Sequence, residues 1–169
     1  LEGMHRVIGE LIAWRGELQQ RYRNPLFAVE VPTLNLGHVC GGDNPNRICG
    51  ACELHIDLRP LPGMDIDELR NHIRSRLTPI AHQRQLGIEF EPLFEGIPAM
   101  QTDSSAEIVR LAEELTGHSS ESVAFGTEGP FFSRLGMETI ILGAGDIDQA
   151  HQPDEYLALD RINPMTELL

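Results

Sequence analysis

Basic residues are scarce in this sequence. Its 169 residues include 13 lysines and arginines against 26 aspartates and glutamates, which gives a formal net charge of -13 at pH 7. Such a surplus of negative charge repels nucleic-acid phosphates, so we expect no nucleic-acid partner. Long apolar runs are missing too, and without a stretch of about 20 apolar residues we expect no membrane-spanning helix.

Cysteine is limited to Cys40, Cys49 and Cys52. An odd count in a chain of this size does not indicate a disulfide framework. The first 15 residues are amphipathic and contain no site that resembles signal-peptide cleavage. We therefore expect a reducing, cytoplasmic setting. Cys49 and Cys52 match C-x-x-C, but alternation along the strand predicted here would place their sulfurs on opposite faces, away from a shared metal ion or disulfide.

The motifs of several self-sufficient catalytic sites are also absent. The sequence contains no H-E-x-x-H, no G-x-S-x-G, no P-loop and no G-x-G-x-x-G. We therefore assign no catalytic residue to this chain. Its hydrophobic fraction of 41% is nevertheless sufficient for a packed core.

Residues 1–95 follow the order helix, strand, strand, helix, strand. Apolar residues at helical spacing predict a helix up to about residue 23, and alternation predicts strands at residues 33–39, 47–59 and 88–94. Asp65, followed three residues later by Glu68, predicts a capping box at the start of the second helix. This is the order of a ferredoxin-like β-α-β-β-α-β unit without its first strand, which we expect just before Leu1.

Residues 96–169 have a different character. Ser104 and Glu107 predict a second capping box, and Gly117 ends that helix. A short strand is expected near residues 121–125. The continuous apolar run at residues 139–142 is typical of a strand that is covered on both faces in a parallel sheet. A last helix starts at Asn163 and Pro164. We interpret this region as the C-terminal part of a larger α/β domain.

Two polar residues flank the strand predicted at residues 47–59. Asn46 lies where a turn enters the strand, and Arg59 lies where the strand ends. An arginine can hold a carboxylate by two parallel hydrogen bonds, and an asparagine amide both donates and accepts. Taken alone, the pattern favours ordinary turn and edge residues.

Loop residues in the second half are the other candidates. Thr127 and Glu128 lie between glycines and could line a pocket or start a helix. Gly143 follows the predicted apolar strand, where α/β sheets place ligand loops. His151 comes a little later among acidic residues, a reasonable place for a metal ligand or a general base.

Four segments together carry a resemblance to a known family. They resemble the zinc-dependent amino-acid deacylases, the family of acetylornithine deacetylase, succinyl-diaminopimelate desuccinylase and carboxypeptidase G; the segments are residues 32–38, 46–49, 52–64 and 149–156. The resemblance extends over nearly the whole chain and is strongest to the acetylornithine deacetylases. It implies hydrolysis of the N-acetyl amide of N2-acetylornithine to ornithine and acetate, in arginine biosynthesis.

The resemblance implies a two-part α/β fold. Residues 1–95 would be a ferredoxin-like lid and dimerisation domain, and residues 96–169 the C-terminal part of a zinc-hydrolase catalytic domain. A complete site of this family holds two zinc ions, with cobalt as an alternative metal. His151 matches the last zinc ligand, which suits the preference of zinc for nitrogen donors.

The resemblance also assigns substrate contacts to five residues. Asn46 and Arg59 match lid positions that contact the substrate or its departing carboxylate, and Thr127, Glu128 and Gly143 match substrate-facing loops. The other zinc ligands and the general-base glutamate belong to a segment that is not in this sequence. We therefore expect an incomplete and inactive fragment of a homodimeric enzyme that acts on a small N-acyl amino acid.

Two alternatives remain open at this point. The first is a desuccinylase or another N-acyl-amino-acid deacylase of the same family. The second is a ferredoxin-like module that dimerises or binds amino acids without catalysis. The predicted strand at residues 47–59 and the first helix are the surfaces on which we expect dimerisation.

Overall fold

A computed structural model of the protein describes residues 1–168. In chain order the elements are α1 (Glu2–Arg21), β1 (Thr33–Gly41), β2 (Cys52–Arg59), α2 (Ile66–Gln83), α3 (Glu107–Thr116), α4 (Gly129–Arg134) and α5 (Ile162–Leu168). Two 3₁₀ helices, Ile147–Gln149 and Leu159–Arg161, precede α5. This mixture confirms the predicted α/β class. Within residues 1–168, no helix is both long and apolar enough to cross a membrane.

The chain divides into two compact units. The first comprises Leu1–Gln101 with Ser122–Thr127, and the second comprises Thr102–Glu121 with Glu128–Leu169. In the first unit, α1, β1, β2 and α2 follow the helix, strand, strand, helix order expected of the ferredoxin-like part. The assignment of residues 1–95 and 96–169 to two domains stays a prediction.

β1 and β2 form an antiparallel hairpin in the first unit. Thr33 is opposite Arg59 at one end, and Gly41 is opposite Cys52 at the other. These two strands make up the whole sheet in the described part of the chain. The outer edge of each strand is therefore unpaired within that part.

The second strand begins later than predicted, because residues 47–51 belong to the loop that connects β1 and β2. Ile48 is 99% exposed there. The partner strand ends at Gly41, and Gly42 takes a φ of +79° that turns the chain away, so nothing is left for residues 47–51 to pair with. Strand alternation therefore does not separate Cys49 from Cys52. Both thiols are nevertheless free.

Apolar side chains from α1, α2 and one face of the hairpin form the core of the first unit. Its buried members are Leu11, Trp14, Leu18, Leu34, Leu69 and Leu77. The residues from α1 lie on one side of the helix, as their spacing predicts. From β2, Leu54, Ile56 and Leu58 pack against this core, which confirms the predicted alternation along that strand.

Ion pairs join α1 to α2 beside this core. Arg76 of α2 donates to the Glu10 carboxylate at 2.7 Å and also pairs with Glu17. Arg84, just after α2, pairs with Glu2 at 3.1 Å. Since the start of α1 meets the end of α2, the two helices run antiparallel.

α2 begins at the predicted cap. The Asp65 Oδ1 atom accepts hydrogen bonds from the backbone N–H groups of Asp67 at 2.8 Å and Glu68 at 2.9 Å. Met64 and Leu69 both pack in the core, as a hydrophobic staple requires. The start of this helix is therefore set by the side chain of Asp65 and by neighbouring residues that can be recognised in the sequence.

Residues 88–94 are not a strand, contrary to prediction. The expected alternation is present, because Ile88 and Phe90 pack against the core while Glu89 and Glu91 are exposed. A strand, however, requires a neighbour that supplies ladder hydrogen bonds. The sheet within residues 1–168 contains β1 and β2 alone, and neither pairs with this segment.

In the second unit, α3 begins later than predicted. Its N-cap position is Ala106, whose side chain makes no capping bond. Asp103 organises the preceding turn, since its Oδ1 accepts from the Ser105 N–H at 2.7 Å and from the Ser105 hydroxyl at 2.6 Å. The predicted capping box of Ser104 and Glu107 is therefore wrong. The end of the helix agrees with prediction.

Residues 121–125 and 139–142 form no strands, so both predictions are wrong. Ile141 is 49% exposed and Leu142 is 43% exposed, whereas a strand inside a parallel sheet is buried on both faces. Such burial needs neighbouring strands, and the part of the chain that the structure describes supplies none for these segments. A hydrogen bond from the Thr102 hydroxyl to the Thr139 carbonyl holds the second segment instead.

We predict that Leu11→Ala lowers the free energy of unfolding by about 2–5 kcal/mol, because it leaves a cavity in the core. Leu11 is 2% exposed. Urea unfolding followed by the fluorescence of the buried Trp14 measures the change. Leu93→Ala, at a position that is 71% exposed, is the control and should cost well under 1 kcal/mol. Equal losses for the two variants would contradict the prediction.

Candidate functional site

The face of the hairpin that points away from the core is polar. Its side chains alternate with the inward apolar residues of the two strands. We call this surface the open face; it consists of Thr33, Asn35, His38 and Cys40 from β1, and Arg59, Asp57, His55 and Glu53 opposite them on β2. The open face brings cationic, anionic and imidazole groups together on a short stretch of sheet.

An extra residue in β1 decides which side chains reach this surface. Leu36 is opposite Ile56, but His38 is opposite His55, so Gly37 is a bulge in the ladder. In a regular strand His38 would share the inward face with Leu36. The bulge moves it to the open face, a known effect of such insertions.

The two histidines face each other across the hairpin. The ring centroids of His38 and His55 are 5.0 Å apart, and the ring planes are inclined by 57°. The Nε2 atom of His55 lies 2.5 Å from the Oε1 atom of Glu53 on the same strand. The three side chains therefore form one contiguous polar cluster.

This cluster changes the titration of Glu53. Its pKa is lowered from the ordinary value of 4.5, chiefly by the hydrogen bond with His55, then by the charge of His55 and, more weakly, by the charge of His38. Because the folded-state pKa is lowered, the associated stabilisation is present above the ordinary value. It is lost as the pH falls through the folded-state pKa.

Arg59 ends β2 at one edge of the open face. Its Nε atom donates to the Asp57 Oδ2 atom at 2.9 Å, and its side chain is 69% exposed. An exposed guanidinium can bind a carboxylate through two parallel hydrogen bonds. The position of Arg59 is therefore compatible with its predicted contact with a substrate carboxylate.

Asn46 lies at the other end of the hairpin, in the connecting loop. Its backbone N–H donates to the Asn44 Oδ1 atom at 3.2 Å, and its side chain is exposed. The strand between this loop and Arg59 runs from Cys52, and at roughly 3.3 Å per residue its ends are roughly 23 Å apart. The structure therefore does not bring Asn46 and Arg59 together.

Three further predicted residues lie in loops. Thr127 is half-buried at the end of the first unit. Glu128 is the N-cap residue of α4 in the second unit, and its carbonyl accepts from the Phe131 N–H at 3.0 Å. The open loop that contains Gly143 is exposed, and a Cβ atom at this glycine would meet no other atom within 4 Å. Neither close packing nor backbone strain explains a glycine here.

His151 lies on the surface of the second unit, soon after the 3₁₀ helix Ile147–Gln149. Its φ of +62° is in the left-handed region, which is uncommon for a residue other than glycine. Its backbone N–H donates to the Glu155 Oε2 atom at 3.2 Å. Asp154 shares this conformation, with a φ of +63°, so the backbone at His151 does not by itself indicate a functional role.

The described residues do not assemble a metal centre around His151. No group of three or more histidine, cysteine, aspartate or glutamate side chains is arranged to hold a metal ion anywhere in residues 1–168. The His151 imidazole is a suitable donor for zinc. It is one donor, however, and a structural or catalytic zinc site needs at least three from the protein.

Comparison with known proteins assigns the first half of the chain. Residues 2–85 match the family model described as the peptidase dimerisation domain. These residues belong to the peptidase dimerisation domain family. The domain contains α1, β1, β2 and α2, with the core that joins them.

Curated relatives match the whole chain. Over 169 residues it is 47% identical to acetylornithine deacetylase of Edwardsiella ictaluri (strain 93-146) and to that of Vibrio vulnificus (strain CMCP6). It is 44% identical to that of Aliivibrio salmonicida (strain LFI1238). These matches confirm the resemblance inferred from the sequence. Each match covers the whole of this chain and 44% of the relative. The chain therefore spans less than half the length of these proteins.

Sequence reasoning missed the cluster of His38, Glu53 and His55 in the dimerisation domain. Strand alternation placed Glu53 and His55 on the polar face correctly. It could not place His38 beside them without the register of the hairpin. Gly37 was the available signal, because a glycine inside a strand pattern often marks a bulge.

We predict that His55→Gln raises the pKa of Glu53 back toward 4.5, because it removes the chief cause of the lowering. His38→Gln should raise it less, since His38 acts only through its charge. Carbon-13 NMR titration of the Glu53 carboxyl group measures both shifts. His72→Gln, an exposed position on α2, is the control and should leave this pKa unchanged. An unchanged pKa in His55→Gln would contradict the assigned cause.

Proposed function

We propose that this chain is the dimerisation domain and the C-terminal catalytic part of a metal-dependent deacylase that hydrolyses N2-acetylornithine to ornithine and acetate. The observation that carries the proposal is 47% identity over all 169 residues to proteins with the name acetylornithine deacetylase. The match to the peptidase dimerisation domain at residues 2–85 supports the same reading. We further infer a place in arginine biosynthesis and in the cytoplasm.

Substrate binding is the proposed task of five residues, two of which lie in the second unit. Arg59 would bind a carboxylate of the substrate or product, in exchange for part of its contact with Asp57. Asn46 would act separately, because it lies at the opposite end of β2. Its exposed amide can both donate and accept. Thr127, Glu128 and Gly143 would contact the substrate from the loops in which they lie.

Zinc is the proposed metal, with two ions in a complete site and cobalt as an alternative. Zinc bound in such a site would polarise the amide carbonyl and would lower the pKa of a bound water molecule. His151 would supply one nitrogen ligand from an exposed position in the second unit. The donors of residues 1–168 do not complete the centre, and we propose that the 169-residue chain is inactive by itself.

Homodimerisation is the proposed role of the hairpin and α1. An unpaired strand edge presents free N–H and C=O groups and is a ready template for another chain. In residues 1–168 the outer edges of β1 and β2 are both unpaired. The outward side of α1 adds the exposed apolar side chain of Ile12. A small N-acyl amino acid remains the proposed ligand of the assembled enzyme.

A chimera tests the proposed activity. The 169 residues replace the matched segment of the Edwardsiella ictaluri acetylornithine deacetylase, which they align with from end to end. We expect the chimera to release acetate from N2-acetylornithine. Arg59→Ala should lower its kcat/KM by about 10–100-fold, since it removes charge-assisted hydrogen bonds. His151→Ala should lower it by at least about 100-fold, since it removes a metal ligand.

The controls separate substrate choice from folding. Arg74→Ala, at an exposed arginine of α2, should retain activity. The isolated 169-residue chain with added zinc should release no acetate. A folded chimera that prefers succinyl-diaminopimelate would change the substrate to that of the desuccinylases. A folded chimera that is inactive on both amides would refute the proposed function.

Sedimentation equilibrium tests the proposed dimer. We expect a mass of twice 18.8 kDa for the chain. Ile12→Glu should weaken the dimer, because it places a charge on the outward side of α1. Leu93→Glu is the matched control. Leu93 is 71% exposed and lies on neither of the two proposed surfaces. A monomeric parent chain, or equal effects of the two variants, would contradict the proposed interface.

A further inference from the structure

The paired histidines of the open face have no role in the core. His38 and His55 lie on the side of the hairpin opposite the buried leucines, and His38 is exposed. The bulge at Gly37 is what directs His38 to this face. Packing in the core therefore does not account for the meeting of two imidazoles here.

The spacing of the rings suits a shared metal ion. A metal–nitrogen bond is about 2.0–2.1 Å long, and an imidazole centroid lies roughly 1.2 Å behind its nitrogen. Two imidazoles that bind one ion at an angle of about 100–110° therefore have centroids roughly 5 Å apart. The observed separation of His38 and His55 is 5.0 Å. The distance between the two rings is therefore compatible with ligation of one ion by both imidazoles.

Glu53 forms a carboxylate–histidine pair with His55. Its Oε1 atom is 2.5 Å from the Nε2 atom of the His55 ring. When Nε2–H donates to this carboxylate, the Nδ1 atom keeps the lone pair that binds a metal ion. A carboxylate that orients a ligating histidine in this way is a common support of metal sites.

We propose that His38 and His55 bind one divalent transition-metal cation such as Cu²⁺ or Ni²⁺, with Glu53 as the residue that positions His55. Imidazole donors select these ions, whereas Mg²⁺ and Ca²⁺ prefer oxygen ligands. Two protein ligands leave the remaining coordination positions to water. The site lies in the dimerisation domain, and its ligands do not include His151.

Titration of the full 169-residue chain with Ni²⁺ tests the proposal. Calorimetry gives the affinity, and proton NMR reports which imidazole signals the paramagnetic ion broadens. We expect broadening of His38 and His55 but not of His72. His38→Gln and His55→Gln should each weaken binding at least about tenfold, because the second ligand binds at a high effective concentration. Glu53→Gln should weaken it by about tenfold.

The controls keep this site distinct from the proposed zinc ligand of the deacylase. His151→Gln should leave the affinity for Ni²⁺ unchanged, and so should His72→Gln. Mg²⁺ should produce no binding heat at the same concentrations. Circular dichroism should show that each variant is folded, because the substituted side chains on the open face lie outside the core. Unchanged affinity in folded His38→Gln and His55→Gln, or loss of binding in His151→Gln, would overturn the proposal.

Discussion

Burial of one face of the β1–β2 hairpin against α1 and α2 is the constraint on which the rest of the first unit depends. Leu34 from β1 and Leu69 from α2 meet in a core that also contains Trp14. Shifting a strand by one residue would turn its apolar side chains outward, so burial of this face fixes the register. The same register places His38 opposite His55 and Thr33 opposite Arg59. The polar open face is therefore a consequence of the apolar one.

The bulge at Gly37 shows how a single residue can change what a strand presents. Before it, β1 keeps Leu34 and Leu36 inward; after it, His38 and Cys40 point the other way. The strand thereby keeps its packing against the core and also places His38 beside His55. A Cβ added at residue 37 would meet the Asn35 amide nitrogen at 3.6 Å, an ordinary van der Waals contact, so space alone does not require glycine at the bulge.

Features that depend on a few neighbouring residues could be predicted from the sequence. Asp65 caps α2 through residues two and three positions away, and the buried stripe of α1 follows from its spacing. Features that depend on distant partners could not. Residues 88–94 alternate like a strand and lack a paired neighbour, and residues 139–142 are apolar without being covered.

The two ligand sites proposed for the open face are electrostatically separate. His55 and Arg59 are four residues apart on β2, which is roughly 13 Å along a strand. Both side chains are accessible to solvent, with 40% and 69% exposure. Salt screens charges at that range, because the Debye length is about 8 Å at physiological ionic strength. A cation held by His38 and His55 would therefore change the affinity of Arg59 for a carboxylate very little, and each site can be altered without disabling the other.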